Sequence, residues 1–203
     1  MKYILVNGKK RAGKDFFAKE LKKELEALGH KVSIMAFADP IKDIIATTFD
    51  ITRGELDDLK NNENEILLKE SYKVLDMDST RVISDFRLLL QRFGTEAMQA
   101  TFGKQVWVDL LVKMASECGS DYVIVPDFRF LSEHIPGAIT VKVINRGIKY
   151  DSVDSHRSEN ELNMFDFMYL IDNTNKPDIT KQVQDFIRFV MLYQTELELN
   201  STV

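Results

Sequence analysis

The strongest constraint on the fold sits at the N-terminus, where the apolar run Tyr3-Ile4-Leu5-Val6 leads into Gly8-Lys9-Lys10-Arg11-Ala12-Gly13-Lys14. Four consecutive apolar residues read as a strand buried on both faces. After the glycine-rich turn, Phe17, Leu21, Leu25 and Leu28 recur at helical spacing, and Gly29 is a stop signal. A GxxxxGK sequence between a strand and a helix is the context in which such a loop cradles phosphates. Its glycines turn backbone N–H groups inward, the helix N-terminus adds partial positive charge, and the lysine reaches the β- and γ-phosphates. Gly8, Lys9, Arg11, Ala12, Gly13 and Lys14 are therefore candidate ATP-binding residues.

Asp15 stands where the usual motif has Ser or Thr to meet Mg²⁺. Its carboxylate is a hard oxygen ligand for magnesium, directly or through water. The alternative is a favourable acidic residue in the first helical turn.

The rest of the chain alternates between the two periods. Val32 to Phe37 reads as a second strand, and Asp39-Pro40 opens a helix carrying Ile41, Ile44 and Ile45. Residues 50–80, rich in Asp, Glu, Asn and Lys, read as an exposed helical insertion. Residues 81–102 and 104–118 read as two helices broken near Gly103. Tyr122 to Val125, the alternating Ile139, Val141 and Val143, and Met168 to Ile171 supply three more strands. A C-terminal helix carries Val183, Phe186, Ile187 and Val190 on one face. The expectation is an α/β fold in three αβα layers, with a five-stranded parallel sheet of the P-loop NTPase type. Within one domain of 203 residues, the core would be 1–49 and 119–203 and the helical acceptor-binding region 50–118.

In such sheets ligands collect at the carboxyl ends of the strands. Tyr122-Val123-Ile124-Val125-Pro126 ends in Asp127, placed to hold the Mg²⁺ shell, and Arg129 follows with a planar fork suited to phosphate. Glu133 lies one helical turn further on.

Composition narrows the function classes. Apolar residues make up 44% of the chain, enough for a sizeable core. A formal charge of −5 argues against a chain that coats nucleic acid. The single cysteine, Cys118, rules out an internal disulfide and a cysteine zinc cluster, and fits a reducing cytoplasm. No segment approaches a membrane span. Apolar residues of the C-terminal helix read as core, with a homodimer interface as the alternative.

Taken in order, GKKRAGKD, FADPIKD, RLLLQRFGTE with Trp107 downstream, YVIVPDFR, HRSENEL and LIDN resemble the phage-type deoxynucleoside monophosphate kinases. The resemblance runs from residue 4 to about residue 173. GKxxxGKD also resembles the animal-type phosphomevalonate kinases; RLLLQRFGTE favours the nucleotide kinase. The resemblance implies transfer of the ATP γ-phosphoryl to a deoxynucleoside 5′-monophosphate, with Mg²⁺. It implies that Lys42 lies near the acceptor phosphate, and that Arg87, Gln91, Gly94 and Thr95 line the acceptor pocket. Trp107 is implied to pack on the base or sugar, Arg129 to bridge the donor and acceptor phosphates, and Glu133 to belong to the acceptor side. Lys14, Arg129, Asp127 and Arg87 are the implied catalytic set. Residues 145–160 would form the lid, with Arg146 and Arg157, and Asn173 would lie at the adenine.

A phosphate oxygen is already anionic at neutral pH, so transfer needs placement and charge neutralisation rather than a base. Lysines, arginines and carboxylates without a nucleophile–base pair suit that chemistry. A small-molecule phosphate kinase and a nucleotide-binding protein without turnover are the competing readings.

Overall fold

Lys2–Asn7 forms β1, the middle strand of a five-stranded sheet in the computed structural model of the protein. The structure describes residues 1–61, 74–75, 82–83, 86–147, 161–174 and 178–200. Ile4, Leu5 and Val6 are completely buried, which is why this strand is a continuous apolar run rather than an alternating one. Burying each such side chain contributes about 1.5–3 kcal/mol.

The chain continues through α1 (Lys14–Ala27) and β2 (Val32–Ile34). The first helix ends where Gly29 N–H bonds the Glu26 carbonyl and His30 N–H the Leu25 carbonyl, a Schellman closure. Then come α2 (Asp39–Thr48), α3 (Arg53–Asn61), β3 (Val74–Leu75) and β4 (Val82–Ile83). Next are α4 (Phe86–Gln91), a π-helical stretch (Arg92–Gln99), α5 (Ala100–Phe102) and α6 (Val106–Cys118). The chain closes with β5 (Tyr122–Val125), a 3₁₀ turn (Leu131–Glu133), β6 (Ile139–Ile144), β7 (Tyr169–Asp172) and α7 (Ile179–Asn200).

The sheet order is β2-β5-β1-β6-β7, and every pairing in it is parallel. Register aligns the strand exits: Leu5 pairs with Val125, Asn7 with Lys142, and Ile144 with Asp172. On one face Ile4, Val6, Ile124, Val141 and Ile171 meet Phe17 and Leu21 of α1 and Val183 and Phe186 of α7. The Phe17 and Phe186 rings pack edge to face at 5.7 Å. The fold is thus α/β with a five-stranded all-parallel sheet and helices around it.

Contacts divide the chain into two compact units, Met1–Ala36 with Val108–Val203, and Phe37–Trp107. The first holds the parallel sheet. The second therefore begins before α2, earlier than residue 50, and ends before most of α6. Its core joins Ile45, Ala46 and Leu56 with Phe49, Leu89, Leu90 and Phe93. A capping box starts α3: Thr52 N–H donates to Glu55 Oε2 at 2.8 Å, and Glu55 N–H to Thr52 Oγ1 at 3.2 Å.

Three local expectations shift. The second strand stops at Ile34 rather than running to Phe37, and the last spans Tyr169–Asp172. Within 50–80, expected to be helical, Val74 and Leu75 instead pair antiparallel with Val82 and Ile83. Two-residue strands are too short to leave a period in the sequence.

Candidate functional site: the strand exits of the sheet unit

The Gly8–Lys14 loop leaves the carboxyl end of β1 and opens α1. Lys14 Nζ folds back across it, donating to the Gly8 carbonyl at 2.6 Å and the Lys9 carbonyl at 3.0 Å. Ala12 N–H bonds the Lys9 carbonyl at 3.1 Å, and Phe17 N–H bonds Gly13 O at 2.9 Å, starting the helix ladder. Gly13 is left-handed, with φ 99°, and a Cβ there would run into the Asn173 side-chain amide. That amide donates to the Ala12 carbonyl at 2.9 Å, and Asn173 N–H bonds Ile144 O at 2.8 Å. Asn173, expected at the adenine, bonds the Gly8–Lys14 loop to the exit of β7. Asp15 is exposed in the first turn of α1.

The exit of β5 is tied to β1 in the same way. Asn7 Nδ2 donates to the Phe128 carbonyl at 2.8 Å, and Phe128 N–H bonds Val6 O at 3.3 Å. Asp127 and Arg129, half-buried, flank this junction. Glu133 departs from its expected place on the acceptor side. It is 5% exposed, and its Oε2 accepts N–H from Arg129 at 2.6 Å and from Phe130 at 2.9 Å. Burial first, and the Asp127 carboxylate second, push its carboxyl up to about 8. A carboxyl turned inward onto two backbone amides shapes the turn instead of facing a ligand.

Lys142 is a residue that the sequence reading missed. It lies on β6 directly beside Asn7, the last residue before the loop. Its Nζ stands 5.2 Å over the Phe167 ring. Burial, and then the Lys9 ammonium, lower its pKa. The signal available in sequence was one lysine inside an apolar alternation, in the strand that neighbours the glycine-rich loop. Arg146, after β6, is exposed and pairs with Asp172 at 3.5 Å. Thr174 holds that aspartate below the usual carboxylate range, with Arg146 adding to the effect. Arg157 lies outside the described residues, as does most of the expected lid.

In the second unit the expected acceptor residues sit on α2, α4 and the π-helical stretch. Lys42 Nζ pairs with Asp57 at 2.8 Å. Beside it Arg53, also missed, reaches Asp39 Oδ1 and the Asp39 carbonyl, both at 2.7 Å, and Asp43 at 2.5 Å. Arg87 and Gln91 belong to α4, the Arg87 side chain outside the described part. Gly94 and Thr95 fall in the π-helical stretch, and a Cβ on Gly94 would approach Ile41 Cδ1 at 2.7 Å. Trp107, expected against a base or sugar, is 3% exposed and donates Nε1–H to Gly94 O at 2.9 Å. Its indole packs inside the unit and fixes the Gly94 carbonyl.

Among the described residues no three acidic, His or Cys side chains gather as a metal cage. Asp127 at a strand exit and Asp15 on α1 offer hard oxygen donors, which suits a cation that keeps waters and phosphate oxygens in its shell. Among the described residues no helix is long and apolar enough to cross a membrane. No protein-family model matches the chain, and no curated protein matches it.

Proposed function

We propose that the chain is a P-loop kinase that transfers the γ-phosphoryl group of ATP to a deoxynucleoside 5′-monophosphate, giving the diphosphate and ADP. The observation that carries the reading is the placement of Gly8–Lys14. The loop leaves the central strand of a parallel sheet at a helix N-terminus, beside the strand that exits into Asp127 and Arg129. Counted along the sheet-forming strands, the order is second, third, first, fourth, fifth, so the strand that feeds the loop is flanked on both sides. Anion binding at such a helix start follows from its orphan N–H groups and dipole.

Mg²⁺, held by Asp127 and Asp15 with water, would screen the β- and γ-phosphates. Lys14 carries three donors and can exchange its two loop carbonyls for phosphate oxygens. Lys142 adds positive charge on the adjacent strand, and Arg129 supplies a fork for the transferring group. Lys42, Arg87, Gln91, Gly94 and Thr95 of the second unit are assigned to the acceptor on the motif resemblance, and deoxynucleotide supply for DNA synthesis is the role it implies.

The test is a coupled ADP-release assay with the four deoxynucleoside monophosphates, the ribonucleotides and phosphomevalonate. Release dependent on a deoxynucleotide is expected. Lys14→Ala should lower it by at least about 100-fold in a folded protein, the scale of losing one major electrostatic contact. Turnover near normal in that variant refutes the ATP assignment; release only with phosphomevalonate refutes the acceptor. ATP binding without release for any acceptor refutes the enzyme reading.

A further inference from the structure

We propose that Glu133 is a positioning residue: its buried carboxyl clamps the backbone of Arg129 and Phe130 and so fixes the part of the turn that aims Arg129. The inference rests on the kinase reading for its functional consequence, and on geometry alone for the clamp.

On either side of the clamp the turn after β5 has other anchors: Phe128 packs edge to face on Phe165 at 5.5 Å, and Leu131 N–H donates to Glu161 Oε1 at 2.9 Å. The turn lies between Val125, the last residue of the strand, and Leu131, the first of the 3₁₀ turn. Its backbone reaches β1 at one residue, Phe128, through the bonds to Val6 and Asn7. Those bonds fix the middle of the turn. Arg129 and Phe130, just beyond, have their N–H groups taken by the same oxygen, Glu133 Oε2. Glu133 N–H in turn bonds Phe130 O at 2.9 Å, closing the 3₁₀ turn on itself. A single side chain thus takes the backbone N–H of the residue whose guanidinium is assigned to the phosphates, and of the residue after it.

Burial excludes the competing roles. At 5% exposure Glu133 presents no face for an acceptor nucleotide, and its backbone bonds point it away from solvent. A residue that acts through another should behave differently from one that touches substrate. Glutamine keeps an oxygen that can accept both N–H groups; alanine keeps none.

The experiment uses the full chain with Glu133→Gln, Glu133→Ala, Arg129→Ala and the Glu133→Ala/Arg129→Ala double variant. Misplacing a transferring-group contact by about 1 Å costs up to ~100-fold, so Glu133→Ala should lower kcat by about 10- to 100-fold with the ATP KM within about threefold. Glu133→Gln should restore kcat to within about threefold of the parent, because it preserves the acceptor that the turn needs. In the Arg129→Ala background, Glu133→Ala should cost no more than about a further twofold, the mark of two residues acting as one.

Amide hydrogen exchange reads the clamp without turnover. Arg129 and Phe130 should lose protection in Glu133→Ala and keep it in Glu133→Gln. If Glu133→Gln falls as far as Glu133→Ala, the carboxylate itself is required and the positioning role is overturned. Independent, multiplying losses in the double variant overturn it too, as does unchanged amide protection in Glu133→Ala. Failure of the kinase reading is separate: the parent protein then releases no ADP with any acceptor, and amide protection alone decides the clamp.

Discussion

Glu133→Gln should make the protein more stable, and increasingly so as pH rises. In the folded chain this carboxyl is buried beside Asp127, and burial and then that neighbour raise its pKa from 4.5 to about 8. The Arg129 and Phe130 N–H groups, and the Arg129 charge, work in the opposite direction without winning. Between those two values the folded chain holds a proton that the unfolded chain has released. Stability contributed by the protonated carboxyl is therefore complete below about pH 4.5, falls through the window, and levels off above about pH 8. Each pKa unit is worth about 1.4 kcal/mol, so the loss is on the order of 3 kcal/mol by pH 7 and 5 by pH 9. Glutamine never ionises and still accepts the two backbone bonds, so it escapes this loss. A chain of this size shifts by roughly 2–4 °C per kcal/mol, so the gap in Tm should widen from near zero at pH 4.5 to about 10 °C or more at pH 8.5. Thermal melts of both proteins across that range, in metal-free buffer, provide the measurement. A gap that stays constant, or one in which the glutamine variant loses ground as pH rises, would show the carboxyl ionised in the fold and refute the reasoning.

Gly13→Ala forces a side chain into a left-handed position and into the Asn173 amide. It should destabilise by about 1–3 kcal/mol in denaturant melts and raise the ATP KM; unchanged stability would show that Asn173 does not pin the loop. Trp107→Phe leaves the Gly94 carbonyl without its indole donor. A loss of about 1–3 kcal/mol is expected, read by urea unfolding; a higher acceptor KM at unchanged stability would return Trp107 to the ligand.

The parts of the site legible in sequence are those determined locally. GxxxxGK between an apolar run and a helical stripe specifies a loop by its own residues, and β1, the loop and α1 follow. Asp127 was legible because a strand's end is marked by Pro126 and a change of polarity. Lys142 was not, because its meaning depends on register. Only pairing with Asn7 brings it beside the loop, and pairing between strands that distant in sequence leaves no local trace. The same holds for the clamp of α2 to α3, where Lys42 meets Asp57 and Arg53 meets Asp39 and Asp43. The motif resemblance singles out Lys42, but nothing local in the sequence marks these pairings. The π-helical stretch Arg92–Gln99 also escaped, since an ordinary helical period describes its residues equally well. The contacts particular to it, Trp107 to Gly94 and Gly94 against Ile41, are tertiary.

A common device connects three polar side chains of the sheet unit that bond loop backbone. Asn7 bonds the Phe128 carbonyl, Asn173 the Ala12 carbonyl, and Glu133 the amides of Arg129 and Phe130. Asn7 and Asn173, at the strand exits, hold the backbone of a neighbouring loop, and Glu133, in the 3₁₀ turn, holds that of its own turn. Polar residues at the carboxyl ends of parallel strands have two tasks there: binding a ligand, and satisfying loop backbone that leaves the sheet. Side-chain chemistry sorts them. Amides and a neutral buried carboxyl match backbone donors and acceptors one for one, at no charge cost. Arginine and lysine carry charge that costs far more to bury without an anion. Lys14 suits both tasks: its ammonium closes the loop on two carbonyls, and under the kinase proposal phosphate oxygens would replace those carbonyls as acceptors. A loop held in shape by Asn173 and Lys14 has less entropy to lose when a ligand orders it; under the kinase proposal, the amide of Asn173 would thereby contribute to nucleotide affinity without touching the nucleotide.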